Sequence, residues 1–277
     1  MALLLQAPLL QGRVAFITGV ARGQGRSHAL RLAEEGADII GVDICADFAT
    51  VPYPMASEDD LKETAAAVEA LDRRILTARV DVRDRVALTG FVADAAAQLG
   101  RLDIVLANAG ISALGTDGEM DDVWQDVLQT NLTGVFNTVQ AALPPMIEGG
   151  RGGSIVLTSS TAGLVGLSLD STAGYAYTAA KHGVVGLMRG YARDLARHSI
   201  RVNTVHPTGV ATDMIMNEAI GQLYADDPET AAGLANLLPV DMIESLDVSN
   251  AVLWLASDQA RYVTGVTLPV DAGFTVK

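Results

Sequence analysis

Short apolar runs rich in valine and isoleucine alternate along this chain with longer alanine-rich stretches whose apolar positions recur at helical spacing. The runs are VAFITG (14–19), DIIGVDI (38–44), ILTARVDV (75–82), DIVLANAG (103–110), GSIVLTSS (153–160), IRVNTVHP (200–207) and GVTLPVDAG (265–273). Between them lie helical patterns. RSHALRLAEEG puts Ala29, Leu30, Leu32 and Ala33 on an inner face and ends at Gly36, a C-cap residue. LKETAAAVEAL, VALTGFVADAAAQLG, VWQDVLQTNLTGVFNTVQAALPPM, YTAAKHGVVGLMRGYARDLARH and VSNAVLWLAS follow. Strands without a polar face belong in a parallel sheet covered on both sides, and right-handed crossovers make such a sheet doubly wound. The pattern predicts one α/β domain over residues 1–277, with about seven strands and helices on both faces.

Two segments break the alternation. Residues 45–60, CADFATVPYPMASEDD, read as an insertion. Residues 211–243 read as an apolar, flexible lid carrying Met214, Ile215, Met216, Ile220, Leu223, Tyr224, Leu234, Leu237 and Leu238. Both follow predicted strands, at the edge where such sheets bind ligands. Composition narrows the classes. The chain is 49% apolar and 19% charged, which supports a large core. Its formal charge of −14 argues against nucleic acid or an anionic membrane as partner. Cys45 is the only cysteine, so no intrachain disulfide forms. The start, MALLLQAPLL, has no basic region before its brief apolar run, and Gln6 and Pro8 interrupt it. It is expected to be an arm packed on the domain or on a neighbouring subunit. No apolar run reaches the roughly 18 residues of a membrane span, and the expected compartment is the cytoplasm.

TGVARGQG (18–25) joins the first strand to the first helix. Gly19, Gly23 and Gly25 permit a tight turn and close backbone approach, and the helix N-terminus offers free amides to a pyrophosphate. Asp43 ends the second strand, 18 residues past Gly25. A carboxylate there accepts bonds from an adenosine ribose and repels a 2′-phosphate, favouring NAD over NADP. The alternative is a strand-end aspartate that caps a turn. Arg22 in the turn serves a phosphate, the pyrophosphate or the surface.

Three more stretches complete a series: NAG at Asn108, Ala109 and Gly110; Asn131 inside a long helix; and Ser160, 17 residues before Tyr177 in YTAAK. In this order they resemble the short-chain dehydrogenase/reductase family over nearly the whole chain, from Gly12 to YVTGVTLPVDAG. The resemblance implies a Rossmann fold and a catalytic tetrad of Asn131, Ser160, Tyr177 and Lys181. It implies NAD held by Gly19, Arg22, Gly23, Gln24, Gly25, Asp43, Ile44, Asp81, Val82, Asn108, Ala109, Gly110, Tyr177, Lys181, Pro207, Val210, Thr212 and Met214. Asp81 and Val82 match the adenine contacts, and Pro207 to Thr212 the nicotinamide carboxamide stretch. It implies no metal, and a homotetramer with subunit contacts near the closing segment. Segment 45–60 resembles the insertion of the carveol-dehydrogenase-like, mycofactocin-associated branch. That branch implies tightly held NAD recycled in place by an external redox partner. Thr208 and Ala107 depart from the family's usual glycine and asparagine. The Ser-to-Tyr interval is long, so LVGLSLDSTAG is expected to bulge over the substrate.

A free tyrosine titrates near 10, so its phenolate is about 4 kcal/mol uphill at neutral pH. Lys181 lies one helical turn on, and its charge, with an oxidised nicotinamide, favours the phenolate. Tyr177 then exchanges a proton with an alcohol or ketone while Ser160 holds the substrate oxygen. Lys181 grips the ribose hydroxyls, and the resemblance gives Asn131 a water linking Lys181 to solvent. The small residues 178–180 let the helix approach the cofactor. The apolar lid, with Leu164, Val165 and Leu167, points to a hydrophobic secondary alcohol or ketone such as a cyclic terpenoid. Tyr175 and Ser159 are decoys. His182 reads as a packing or surface residue and His206 as structural. Asp117, Glu119, Asp121 and Asp122 read as helix-capping and dipole carboxylates rather than a metal site. Two functional alternatives remain open: an NADP-dependent ketoreductase, and a dinucleotide-binding regulator without catalysis.

Overall fold

A computed structural model describes residues 8–116, 118–167 and 171–277. At its centre lies a strand with no polar face. β1 (Val14–Thr18) is buried throughout, because helices cover both of its sides. Val14 and Phe16 enter one hydrophobic layer, and Ala15 and Ile17 the other, as the two-residue period of an extended chain dictates. β2 (Asp38–Asp43), β3 (Ile75–Arg79), β4 (Ile104–Ala107), β5 (Gly153–Thr158), β6 (Ile200–Pro207) and β7 (Thr267–Val270) complete the sheet. The order is β3-β2-β1-β4-β5-β6-β7, and every pair is parallel. Each strand falls within an apolar run predicted from the sequence. The connections reverse direction between β1 and β4, which opens a crevice at the C-terminal ends of those strands.

α1 (Gly23–Glu34) and α2 (Glu58–Glu69) cover one face, with the C-terminal α9 (Ser245–Ala256). α3 (Arg85–Leu99), α5 (Gly134–Gly149) and α6 (Thr172–Leu195) cover the other. α1 departs from its expected face in one respect. Leu30 is only partly buried, and His28 takes the deeper place. The His28 Nδ1 lies 2.8 Å from the Ser249 hydroxyl on α9, and burial pulls its pKa down to about 4, so the ring packs as a neutral group. Gly36 follows the helix at φ +90°, the left-handed turn expected there.

The long helix predicted around Asn131 is three pieces. α4 (Met120–Leu128) passes through a π-turn at Gln129–Thr133 into α5, so Asn131 sits where the helix widens. Of segment 45–60, expected to be an insertion, only the part up to Ser57 lies outside regular structure. Ser57 and Asp60 form a capping box, which makes residues 58–60 the first turn of α2. The lid segment 211–243 carries two short helices, α7 (Glu218–Asp226) and α8 (Pro228–Gly233). Residues 1–7 of the expected arm lie outside the described residues. Leu10, which follows, is fully buried against the α1 side of the sheet. No helix among the described residues is long and apolar enough to cross a membrane.

Two glycines on helices should respond oppositely to alanine. A Cβ at Gly25 would lie 1.8 Å from the Gly19 carbonyl oxygen, backbone against backbone. Gly25→Ala should lower stability by about 3 kcal/mol in denaturant melts. A Cβ at Gly90, exposed on α3, meets nothing within 4 Å. Gly90→Ala should raise stability by about 0.5–1 kcal/mol.

Candidate active site

The crevice begins at the turn from β1 to α1. Gly19 (φ +69°) and Gly23 (φ +53°) take left-handed conformations, and a Cβ at Gly19 would stand 3.0 Å from the Ala109 Cα. Glycine therefore lets this turn close on the loop after β4. Thr18 ties the same two places together. Its hydroxyl accepts from the Asn108 and Ala109 amides at 3.1 Å each, and its carbonyl accepts from the Asn108 side chain at 3.1 Å. Arg22 precedes α1 without a side-chain cap, and no acidic residue occupies the first turn. The first amides of α1 are thus left for an anion.

Asp43 closes β2 beneath this turn. Its carboxylate accepts from the Ala21 amide at 3.0 Å and the Cys45 amide at 3.2 Å. Asp43 thus caps a turn, and it also lines the crevice. Burial raises its pKa, against the pull of those amides. Asp81 is turned by Arg83, which bonds it through the backbone amide and Nε at 2.8 Å each. Gly19, Arg22, Gly23, Gln24, Gly25, Asp43, Ile44, Asp81, Val82, Asn108, Ala109, Gly110, Thr212 and Met214 all line this one cleft. The Gln24 Oε1 is buried there without a hydrogen-bond partner among the described residues.

A second cavity, about 940 Å³, adjoins the first and shares Gln24, Asn108, Gly110, Thr212 and Met214 with it. Ser160, Tyr177, Lys181, Pro207 and Val210 line it. The Tyr177 hydroxyl is hydrogen-bonded with the Ser160 side chain. The Lys181 Nζ lies 5.4 Å from the Tyr177 ring centroid and donates to the Thr158 carbonyl at 2.9 Å. Within the protein alone, desolvation dominates both groups. Burial raises the Tyr177 pKa while the Ser160 bond opposes it, and burial pulls Lys181 down to about 8. The expected lowering of the phenol by Lys181 is thus not set by the protein's own groups.

Asn131 lies behind this wall. It is fully buried, and neither cleft is lined by it. Its side chain accepts from the Ile111 amide and donates to the Ile111 carbonyl, both at 2.8 Å, and so locks the loop after β4 to the π-turn. A Cβ at Gly110 would stand 3.2 Å from the Asn131 Oδ1 and 3.7 Å from the Lys181 Nζ, which keeps these groups close. Residues 178–180 line neither cleft. The helical period points Tyr177 and Lys181 at the cavity and turns the residues between them away. Ser159 is buried and donates to the Lys181 carbonyl at 2.9 Å, while Tyr175 is exposed.

His206 was read only as structural. Its Nδ1 donates to the Ser160 carbonyl at 2.7 Å, and its Nε2 accepts from the Thr204 hydroxyl at 2.7 Å. Burial pulls its pKa down to about 4, so the ring stays neutral and holds the Ser160 peptide. His182 is exposed, its Nδ1 3.0 Å from the Thr178 carbonyl. Of the apolar candidates, Leu167, Met214, Ile215, Met216, Ile220, Tyr224, Leu234 and Leu238 line the cavity, and Leu164, Val165, Leu223 and Leu237 do not. Leu237 packs instead on Gly273. Residues 168–170 of the expected bulge and Asp117 lie outside the described residues. Glu119 precedes α4 but makes no side-chain cap; Asp121 and Asp122 stand in the first turn, where the dipole favours them.

The insertion supplies what the motifs did not reveal. Val51 and Tyr53 are buried with Ile111, Val127 and Ala176 in a third hydrophobic cluster, against which Tyr177 packs. Tyr53 accepts from the Ser112 amide at 3.1 Å, and burial pushes its pKa up to about 12. Arg83 stacks 4.5 Å over the Phe48 ring, and Thr50 donates to Asp126 at 2.8 Å. Arg22 bridges the clefts' two flaps: it bonds Asp213 of the lid at 2.7 Å and the Pro54 carbonyl of the insertion at 2.6 Å. The signal for this wall was the aromatic and proline content of 45–57.

Two substitutions test the site's electrostatics and support. The unfolded chain keeps the Lys181 proton to about 10.5, whereas the folded protein releases it near 8. Between those values the unfolded state binds more protons, so wild-type stability climbs with pH. Lys181→Met should exceed wild type in stability at pH 7 by about 1–3 kcal/mol, with the gap closing as pH rises from 8 toward 10. His206→Leu should lower turnover about tenfold or more through a misplaced Ser160, with dinucleotide affinity unchanged, and His206→Asn, which keeps a donor, should recover most of it. Steady-state kinetics and binding titrations separate these effects.

The sequence and the coordinates have known counterparts. The short chain dehydrogenase family profile matches residues 13–222. A (−)-trans-carveol dehydrogenase of Rhodococcus erythropolis is 50% identical over 278 residues, covering 97% of this chain and 99% of its own. The crystal structure of a carveol dehydrogenase from Mycobacterium avium in complex with NAD superposes with a TM-score of 0.90 at 53% identity, covering 98% of this chain and all of the other. A short chain dehydrogenase from Mycobacterium paratuberculosis bound to NAD gives a TM-score of 0.90 at 49% identity, covering 97% and 100%. The chain belongs to the short-chain dehydrogenase family.

Proposed function

We propose that this protein is an NAD-dependent dehydrogenase that interconverts a hydrophobic secondary alcohol, of the cyclic terpenoid kind, and its ketone. The observation that carries the reading is the meeting of Tyr177, Ser160 and Lys181 on a largely apolar cavity that opens into the glycine-lined crevice. The crevice fits a dinucleotide. Gly19, Gly23 and Gly25 line it, the first amides of α1 are uncapped, and the Gln24 Oε1 is an acceptor without a partner among the described residues at the junction of the clefts. Asp43 at the end of β2 favours NAD over NADP, because a 2′-phosphate would meet a buried carboxylate. The solved carveol dehydrogenase from Mycobacterium avium and the short chain dehydrogenase from Mycobacterium paratuberculosis hold NAD, which supports the same choice.

When bound, NAD supplies the hydride acceptor. The protein's part is to manage the proton and the oxygen. Tyr177 accepts the hydroxyl proton of the alcohol as the carbon is oxidised, and returns it in the reverse direction. Ser160 holds the substrate oxygen, its own hydroxyl fixed by the Ala162 amide at 3.2 Å and its peptide by His206. Lys181 is mostly protonated at neutral pH and commits one proton to Thr158, leaving two for ribose hydroxyls. Asn131 fixes the loop that carries Gly110 beside Lys181; a proton path to solvent at this point is part of the proposal.

The Arg22 bridge supports tight retention of NAD, and with it recycling by an external, mycofactocin-type redox partner. Exposed Leu246 and Trp254 on α9 support subunit contact in a homotetramer, and a cytoplasmic setting goes with that reading. A silent regulator is disfavoured by the completeness of the tetrad. Tyr177→Phe should bind NAD within about twofold of wild type and lose at least about 10³-fold in turnover of a cyclic secondary alcohol. Turnover within tenfold of wild type would reject the assignment. Protein as purified should reduce its bound NAD with alcohol yet exchange it slowly with labelled free NAD, and Arg22→Ala should speed that exchange.

A further inference from the structure

At the edge of the sheet opposite the active site, where β1, β4, β5 and β6 begin, five arginines line one cleft of about 500 Å³. They are Arg13, Arg101, Arg151, Arg201 and Arg261, and the carboxylates among them are Asp103 and Asp258. Five positive charges and two negative leave +3, in a chain whose formal charge is −14. Both carboxylates are already engaged. Asp103 is buried and takes Arg101 at 2.7 and 2.8 Å and the Val14 amide at 2.9 Å, with Arg151 3.7 Å away. Asp258 takes Arg13 at 2.6 Å.

Arg201 and Arg261 pair with no carboxylate among the described residues. Arg201 is partly buried, and its guanidinium reaches only the Ser257 carbonyl at 3.2 Å and the Val263 carbonyl at 3.4 Å. Burial lowers its pKa, with Asp258 opposing and Arg13 adding to that shift. Arg261 is exposed and stacks 4.9 Å over the Tyr262 ring. A half-buried guanidinium that forms no ion pair gains from a bound anion. Guanidinium groups grip tetrahedral oxyanions two bonds at a time, and a surplus of +3 favours a dianion over a single carboxylate.

We propose that this cleft is a phosphate-binding site, in which Arg201 and Arg261 hold the anion and Arg151 closes the rim. Inorganic phosphate and the phosphate group of a sugar phosphate share the chemistry. The site is separate from the glycine-rich turn and does not depend on the dehydrogenase assignment.

The test is thermal unfolding of NAD-saturated protein, so that the glycine-rich turn is filled, in chloride buffers of matched ionic strength. Inorganic phosphate or glucose 6-phosphate is added. Wild type should show a saturable rise in Tm of about 3 °C at about 10 mM anion. Arg201→Met should abolish it, and Arg261→Ser should at least halve it. Because Arg261 is exposed, its variant keeps the test valid should Arg201→Met fail to fold. Arg85→Ser, an exposed arginine outside the cleft, should retain the full rise. A larger rise with the sugar phosphate identifies a phosphorylated metabolite as occupant, and an equal or smaller one identifies free phosphate. No rise above chloride, or a rise left whole in Arg261→Ser, overturns the proposal.

Discussion

Two ionisable groups, the partly buried Tyr177 phenol and the buried Lys181 ammonium, sit in the wall of a largely apolar cavity, and their desolvation constrains everything built around them. In such a place each group is driven toward its neutral form. A base-competent tyrosine therefore requires partners that restore charge stabilisation when the reaction needs it. Lys181 commits one ammonium proton to the Thr158 carbonyl, and Ser160 stands against the phenol. The rest of the edge serves this pair. The π-turn places Asn131 against Ile111, Gly110 leaves room beside Lys181, and His206 reaches across from β6 to hold the Ser160 peptide.

The insertion between β2 and α2 changes the character of the crevice. Parallel sheets of this order leave the cleft between β1 and β4 open to solvent from above. Here Phe48, Tyr53 and Met55 enter its lining, and Val51 and Tyr53 anchor a hydrophobic cluster shared with the helix that carries Tyr177. The two cavities meet at Gln24, Asn108, Gly110, Thr212 and Met214. Arg22, rooted in the glycine turn, fastens the insertion to the lid through Pro54 and Asp213.

Much of this was legible in the chain. Strand positions followed from apolar runs that need no polar face, and the Tyr177–Lys181 pairing followed from helical period alone. The choice of Ser160 over Ser159 also agrees with the geometry, since only Ser160 meets the Tyr177 hydroxyl. What was hidden depends on register and packing between distant segments. His206 bonds a carbonyl 46 residues away because β5 and β6 are neighbours, and no local pattern encodes that. His28 displaced Leu30 from the core because Ser249, on a helix 221 residues on, offered it a partner. Arg22 was open to a phosphate, the pyrophosphate or the surface, and its ion pair with Asp213 became visible only with residues 211–243 in place. The charge balance of Tyr177 in the protein alone was not legible either: spacing shows proximity, whereas the balance depends on how much water is lost.

The ionisation of Tyr177 itself is the most direct measurement. Ultraviolet difference titration of wild type against Tyr177→Phe isolates the tyrosinate signal of this one residue among six. In protein stripped of dinucleotide the phenol should titrate above its ordinary value, as burial dictates. With NAD added in its oxidised form, the same transition should move down by about 2 units or more, into the range where a base works near neutral pH. A transition that stays above 10 with NAD bound would contradict the assignment of Tyr177 as the proton acceptor.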